Sequence, residues 1–119
     1  MSSEARAERV AALIHEEVAK LLTKGVKDPR IGFVSVTHVR MSRDLRYANI
    51  YVSLLGEHTE QRRSLAGLQS SSGWMRHEIG KYLHLRFTPE LRFFQDESLD
   101  KVFALEDMFR QLHENEENE

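Results

Sequence analysis

The residues that could do chemistry are six histidines, a few carboxylates set among arginines, and a scatter of basic side chains with aromatics between them. Imidazole can ligate a metal or move a proton near neutral pH. Of His15, His38, His58, His77, His84 and His113, the pair His77 and His84 is seven residues apart and could share a helical face. Lys81 lies between them, and a cation there disfavours a metal. Asp28, Asp44 and Asp96 each have an arginine next to or near them, as turn-forming aspartates often do. No nucleophile elbow, phosphate-cradling Gly-Lys loop or dinucleotide fingerprint occurs. Neither catalysis, a bound metal nor a cofactor is expected.

The basic positions carry more. Arg6 and Arg9 open the chain, Lys27, Arg30, Arg43 and Arg46 flank a connector and a hairpin, and Arg76, Lys81 and Arg86 come later. Twelve of the 17 cations are arginine, whose planar fork of donors matches phosphate. Tyr47, Tyr51 and Trp74 are interleaved with them. Phosphate contacts supply sequence-independent affinity for nucleic acid, and aromatics can stack on unpaired bases. Each also has a plainer reading: Trp74 in the core, the tyrosines as cover for a sheet, the charges as a solvated face. Net charge is −2, but residues 1–89 carry 14 Lys/Arg against 9 Asp/Glu and residues 90–119 carry 3 against 10. A basic body thus ends in an acidic segment.

The elements that must position these residues follow from periodicity. Val10, Leu13, Ile14, Val18, Leu21 and Leu22 recur at helical spacing and predict a helix over 4–24, with Ser3 as N-cap and Gly25 after its end. Pro29 and Gly32 punctuate a connector. A strand over 33–41 has Val34 and Val36 on one face but Val39 and Met41 on the other, which a bulge near Thr37 would reconcile. After the turn Ser42-Arg43-Asp44, residues Ala48, Ile50, Val52 and Leu54 alternate with polar neighbours in a second strand. Thr59 is the expected N-cap of a helix with Leu65 and Leu68 on its buried side. Ser70-Ser71-Ser72-Gly73 are poor helix formers, so a break is expected before helical periodicity resumes at Trp74, Met75, Ile79, Tyr82 and Leu83. A new helix starting at Gly73 would offer free N–H groups to a phosphate. Residues 91–96 read as a third strand and 98–113 as a further helix. The segment 114–119 is expected to be a disordered acidic tail.

One domain over 1–113 is expected. There is no cysteine, the first residues are polar and charged, and no apolar run suits a membrane span. A cytoplasmic setting is therefore expected.

Lys27-Asp28-Pro29-Arg30-Ile31-Gly32, Val36-Thr37-His38-Val39, Met41-Ser42-Arg43-Asp44-Leu45, Tyr47-Ala48, Gly73-Trp74-Met75-Arg76, Gly80-Lys81, Leu85-Arg86 and Pro89-Glu90-Leu91-Arg92-Phe93 occur in an order and spacing that resembles bacterial ribosome-binding factor A, over about residues 5–113. The resemblance implies an α+β, type II KH-like domain. Its order would be helix-strand-strand-helix-kink-helix-strand, with an extra C-terminal helix. In that family a kinked helix, usually at Ala-x-Gly, replaces the RNA-clamping loop; here Ser71-Ser72-Gly73 stands there.

The resemblance also implies a non-enzymatic assembly factor of the small ribosomal subunit. Such a factor binds free 30S particles rather than 70S ribosomes and assists late 16S rRNA maturation, including its 5′ region. A link to growth in the cold and a monomeric state go with it. RNA contacts are expected from Arg6, Arg9, Lys27, Arg30, Arg43, Arg46, Ser71, Gly73, Arg76, Lys81 and Arg86. The competing reading is a protein-interaction module that docks a basic partner, such as a ribosomal protein, through the C-terminal helix and acidic tail. A metal-dependent nuclease would need clustered carboxylates, which the sequence lacks.

Overall fold

The computed structural model describes residues 2–97 together with Arg110 and Leu112. The expected helix over 98–113 and the tail over 114–119 therefore lie, apart from those two positions, outside the described residues.

Helix α1 spans Ser3–Lys24. Its cap is Ser2 rather than Ser3, because the Ser2 hydroxyl accepts the Ala5 N–H at 3.2 Å while Ser3 is already helical. Gly25, at φ +97°, closes the other end and donates its N–H to the Leu21 carbonyl. The buried stripe is Val10, Ile14 and Val18. Leu13, expected on that stripe, is exposed.

Strand β1, Val34–Met41, and strand β2, Tyr47–Leu54, form an antiparallel hairpin. The register shifts between Val36 and His38, so Thr37 is the bulge the alternation called for. Its hydroxyl donates to the Asp96 carboxylate at 2.6 Å and so ties β1 to the end of the third strand. Ala48, Ile50, Val52 and Leu54 are all buried, as alternation requires.

Helix α2 runs without interruption over His58–Gly80 and returns the chain to β3, Glu90–Gln95, which pairs parallel to β2. Two expectations are corrected by this helix. The cap position is Glu57, not Thr59, and no side chain caps it. The expected break at Ser70–Gly73 is also absent. Leu68 before it and Met75 and Ile79 after it are fully or almost fully buried, so packing holds both halves in one helix against weak local propensity. The Ser72 hydroxyl folds back on the Gln69 carbonyl at 2.7 Å, which suits a serine inside a helix. No second helix N-terminus exists there to hold a phosphate.

The sheet order is β1-β2-β3, with both helices on one face. Ile14, Ile50, Leu68, Ile79 and Phe93 lie between the layers. Each such side chain contributes about 1.5–3 kcal/mol by leaving water. The connector before β1 is pinned to α2: buried Ser64 accepts the Gly32 N–H at 3.0 Å, and its hydroxyl lies 3.4 Å from the Arg30 carbonyl.

Candidate nucleic-acid interface

One end of the two-layer body opens into a cleft of about 690 Å³. Four elements build it: the first turns of α1, the β1–β2 turn, α2 with the loop after it, and the start of β3. They bring Arg6, Arg46, Arg76 and Arg86 to one place, with His84, Phe87 and Tyr47 between them. Asp44 and Glu90 are the acidic residues of its lining, so cations outnumber carboxylates.

Each arginine is held differently. Arg76 donates through Nε and Nη2 to the Thr88 carbonyl, at 3.0 and 2.8 Å, and so clamps α2 to the loop before β3. Arg86 lies over the Phe87 ring at 5.6 Å, a cation–π distance, and Phe87 is itself 76% exposed. Arg46 stands 3.8 Å from Asp44. The Ser42 hydroxyl, 2.7 Å from Asp44, and then the Arg46 N–H hold that carboxyl below its ordinary range. The same bonds, with Leu45 in the left-handed region at φ +60°, fix the turn. Arg6, Arg76 and Arg86 make no ion pair among the described residues.

A second, shallower concavity of about 560 Å³ shares Arg76, Arg86, Phe87 and Thr88 with the first and adds Gly73, His77, Gly80 and Lys81. The two form one continuous surface. Gly73 is exposed there, and a Cβ on it would meet nothing within 4 Å. Lys81 is paired with Glu78 at 3.1 Å. Of the residues singled out from sequence, Arg6, Arg46, Gly73, Arg76, Lys81 and Arg86 thus converge.

The others stand apart. Arg43 lines a separate concavity with His38, Arg40, Glu4 and Glu8. Arg30 sits before β1, at the end opposite the cleft; eight strand residues at ~3.3 Å each separate them. It is engaged bidentately by Asp28, whose carboxyl its guanidinium draws down to about 2. Lys27 is exposed beside it, Arg9 is exposed on α1, and Ser71 is half-buried on α2. His77 and His84 do not share a helical face, because α2 ends at Gly80. Trp74 is 48% exposed, so core packing is not its role. Sequence reasoning passed over Phe87; the run Leu85-Arg86-Phe87-Thr88-Pro89, basic and aromatic in a loop, was the available signal.

Among the described residues no group of three or more His, Cys, Asp or Glu could hold a metal ion, and no helix is long and apolar enough to cross a membrane.

Two helices on one face of a β1-β2-β3 sheet, its second pair parallel, define a KH-like α+β domain. The family model described as Ribosome-binding factor A matches residues 6–109. A Ribosome-binding factor A from Dictyoglomus thermophilum is 50% identical over 97 residues, 81% of each chain. The crystal structure of ribosome-binding factor A from Thermus thermophilus aligns with a TM-score of 0.68 at 21% identity, over 77% of this chain and 97% of that one. A homology model of the Thermus thermophilus factor, fitted into the cryo-EM map of its 30S complex, aligns with a TM-score of 0.55 at 20% identity, over 71% of this chain and 93% of that one. The likeness to these two structures is one of fold. The chain belongs to the ribosome-binding factor A family.

Proposed function

We propose that this protein is a non-catalytic assembly factor that docks on free 30S subunits in the cytoplasm and assists late maturation of 16S rRNA, including its 5′ region. The observation that carries the reading is the convergence of Arg6, Arg46, Arg76 and Arg86 in one cleft. The guanidinium donors left free there suit phosphate oxygens, and such contacts orient a protein on RNA without reading its sequence. The continuous surface through Gly73 leaves room for a ribose-phosphate strand to approach the α2 backbone. The family membership and the 30S complex of the Thermus thermophilus relative support the choice of particle. Mechanistically, the factor favours whichever rRNA conformation it binds more tightly. No proton-transfer or nucleophilic step is assigned to its residues.

Co-sedimentation with purified 30S, 50S and 70S particles tests this. The expected result is binding to free 30S in preference to 70S, weakened at least ten-fold by Arg46→Ala combined with Arg86→Ala. Equal binding to all three particles, or full binding by the folded double variant, overturns it.

A further inference from the structure

The face of the sheet turned away from the helices carries a second arrangement. Pairing puts Tyr51 beside Phe94 on β3 and beside His38 on β1. The Tyr51 and Phe94 rings lie 5.6 Å apart at 29°, and His38 and Tyr51 lie 6.0 Å apart at 37°. Toward the cleft end, the Arg92 guanidinium lies 3.6 Å over the Tyr47 ring, a close cation–π stack. Arg40 and Arg92 flank Asn49 in register. Phe94 is 42% exposed. Neither arginine forms an ion pair among the described residues.

We propose that this face is a stacking platform for unpaired RNA bases, continuous with the arginine cleft. The inference rests on the RNA-docking reading above and extends it to a second surface. Three observations choose RNA over a protein partner. The outward positions of the three strands carry aromatic, basic and small polar side chains and the carboxylate of Glu90, but no aliphatic one, so stacking and charge are the interactions on offer. Arg40 and Arg92 supply charge complementary to phosphate. Tyr47 lines the cleft and also lies under Arg92, so one strand could pass from phosphate contacts to base contacts without leaving the surface. Tyr47 and Tyr51 are four residues apart on β2, roughly 13 Å at strand spacing. That far exceeds the ~3.4 Å rise of stacked bases, so the platform suits splayed, single-stranded nucleotides rather than a helix.

The test uses the full chain with two probes, a uridine decamer and a short RNA hairpin, read by fluorescence anisotropy at fixed salt. Tyr51→Leu and Phe94→Leu keep apolar cover but remove the π-face. Each is expected to weaken decamer binding by about five-fold or more, as stacking losses do, and to leave hairpin binding unchanged. Arg6→Ala with Arg86→Ala is expected to weaken both. Folding of each variant is checked by its thermal transition, and Phe94, the more exposed ring, decides the question if Tyr51→Leu unfolds. If both folded leucine variants bind the decamer like the parent while the arginine variant loses it, the platform is refuted and the cleft stands. If the parent binds neither RNA, both fall. A parent dimer that Phe94→Leu dissociates would assign the face to a second copy of the chain instead.

Discussion

A methyl group built on Gly67 would lie 2.7 Å from Ile31 Cγ1 and 3.3 Å from the Asp28 carboxyl, whereas one on Gly73, six residues along the same helix, meets nothing within 4 Å. Gly67 is therefore needed for packing and Gly73 is not. Gly67→Ala should cost about 1–3 kcal/mol through overpacking. Gly73→Ala should instead stabilise the helix by roughly 0.5–1 kcal/mol, measured by chemical denaturation, yet weaken 30S binding by placing a methyl in the path of the strand. Unchanged 30S binding by this more stable variant would reduce Gly73 to a neutral surface position. Asp28 gives a prediction in pH. The Arg30 side chain first, and then its N–H, hold the carboxyl at about 2, below its unfolded value. The pair's contribution is complete above the ordinary carboxylate range of ~3.9, and is lost as pH falls through about 2. An NMR titration of the Asp28 carboxyl carbon should place its midpoint there. A midpoint near 4 would contradict the bidentate contact.

At the scale of elements, what was legible in the sequence is what local pattern alone decides. The stripe of α1 and the strict alternation of β2 were visible, and the two Val faces of β1 pointed to the Thr37 bulge. What failed depended on tertiary packing. Three serines and a glycine argue for a break, but burial on both sides of them outweighs the few tenths to one kcal/mol each residue costs. Helical phase alone also could not tell that Trp74 would face solvent while Met75 filled the core. The candidate site divided in the same way. Residue types pointed to phosphate, but only the packing of α1, the β1–β2 turn and the post-α2 loop could reveal that Arg6, Arg46, Arg76 and Arg86 meet while Arg30 and Arg43 do not. The connector supplies a test of how elements are held. Ser64→Ala would remove the hydroxyl that accepts the Gly32 N–H and should cost about 0.5–1.5 kcal/mol, the net worth of one hydrogen bond, seen as a lowered unfolding midpoint. A loss below about 0.3 kcal/mol, under the net worth of one hydrogen bond, would mean the connector is held by other contacts.

At the scale of the whole molecule, a net charge of −2 conceals a basic surface, because the acidic residues are concentrated after residue 90. The cations are also unequal. Arg30, before β1, is occupied by Asp28, while Arg6, Arg46, Arg76 and Arg86 line an open cleft at the other end. Binding driven by that cleft must release counterions from RNA, so its affinity must depend steeply on salt. The most direct measurement is the slope of log K for free 30S against log salt concentration, for the parent and for the triple variant Arg6→Ala, Arg46→Ala, Arg86→Ala. The expected slope is negative and becomes shallower by about 2 to 3 in the triple variant, at roughly 0.7–0.9 for each phosphate no longer neutralised. A slope near zero for the parent, or one left unchanged in the folded triple variant, would contradict the account.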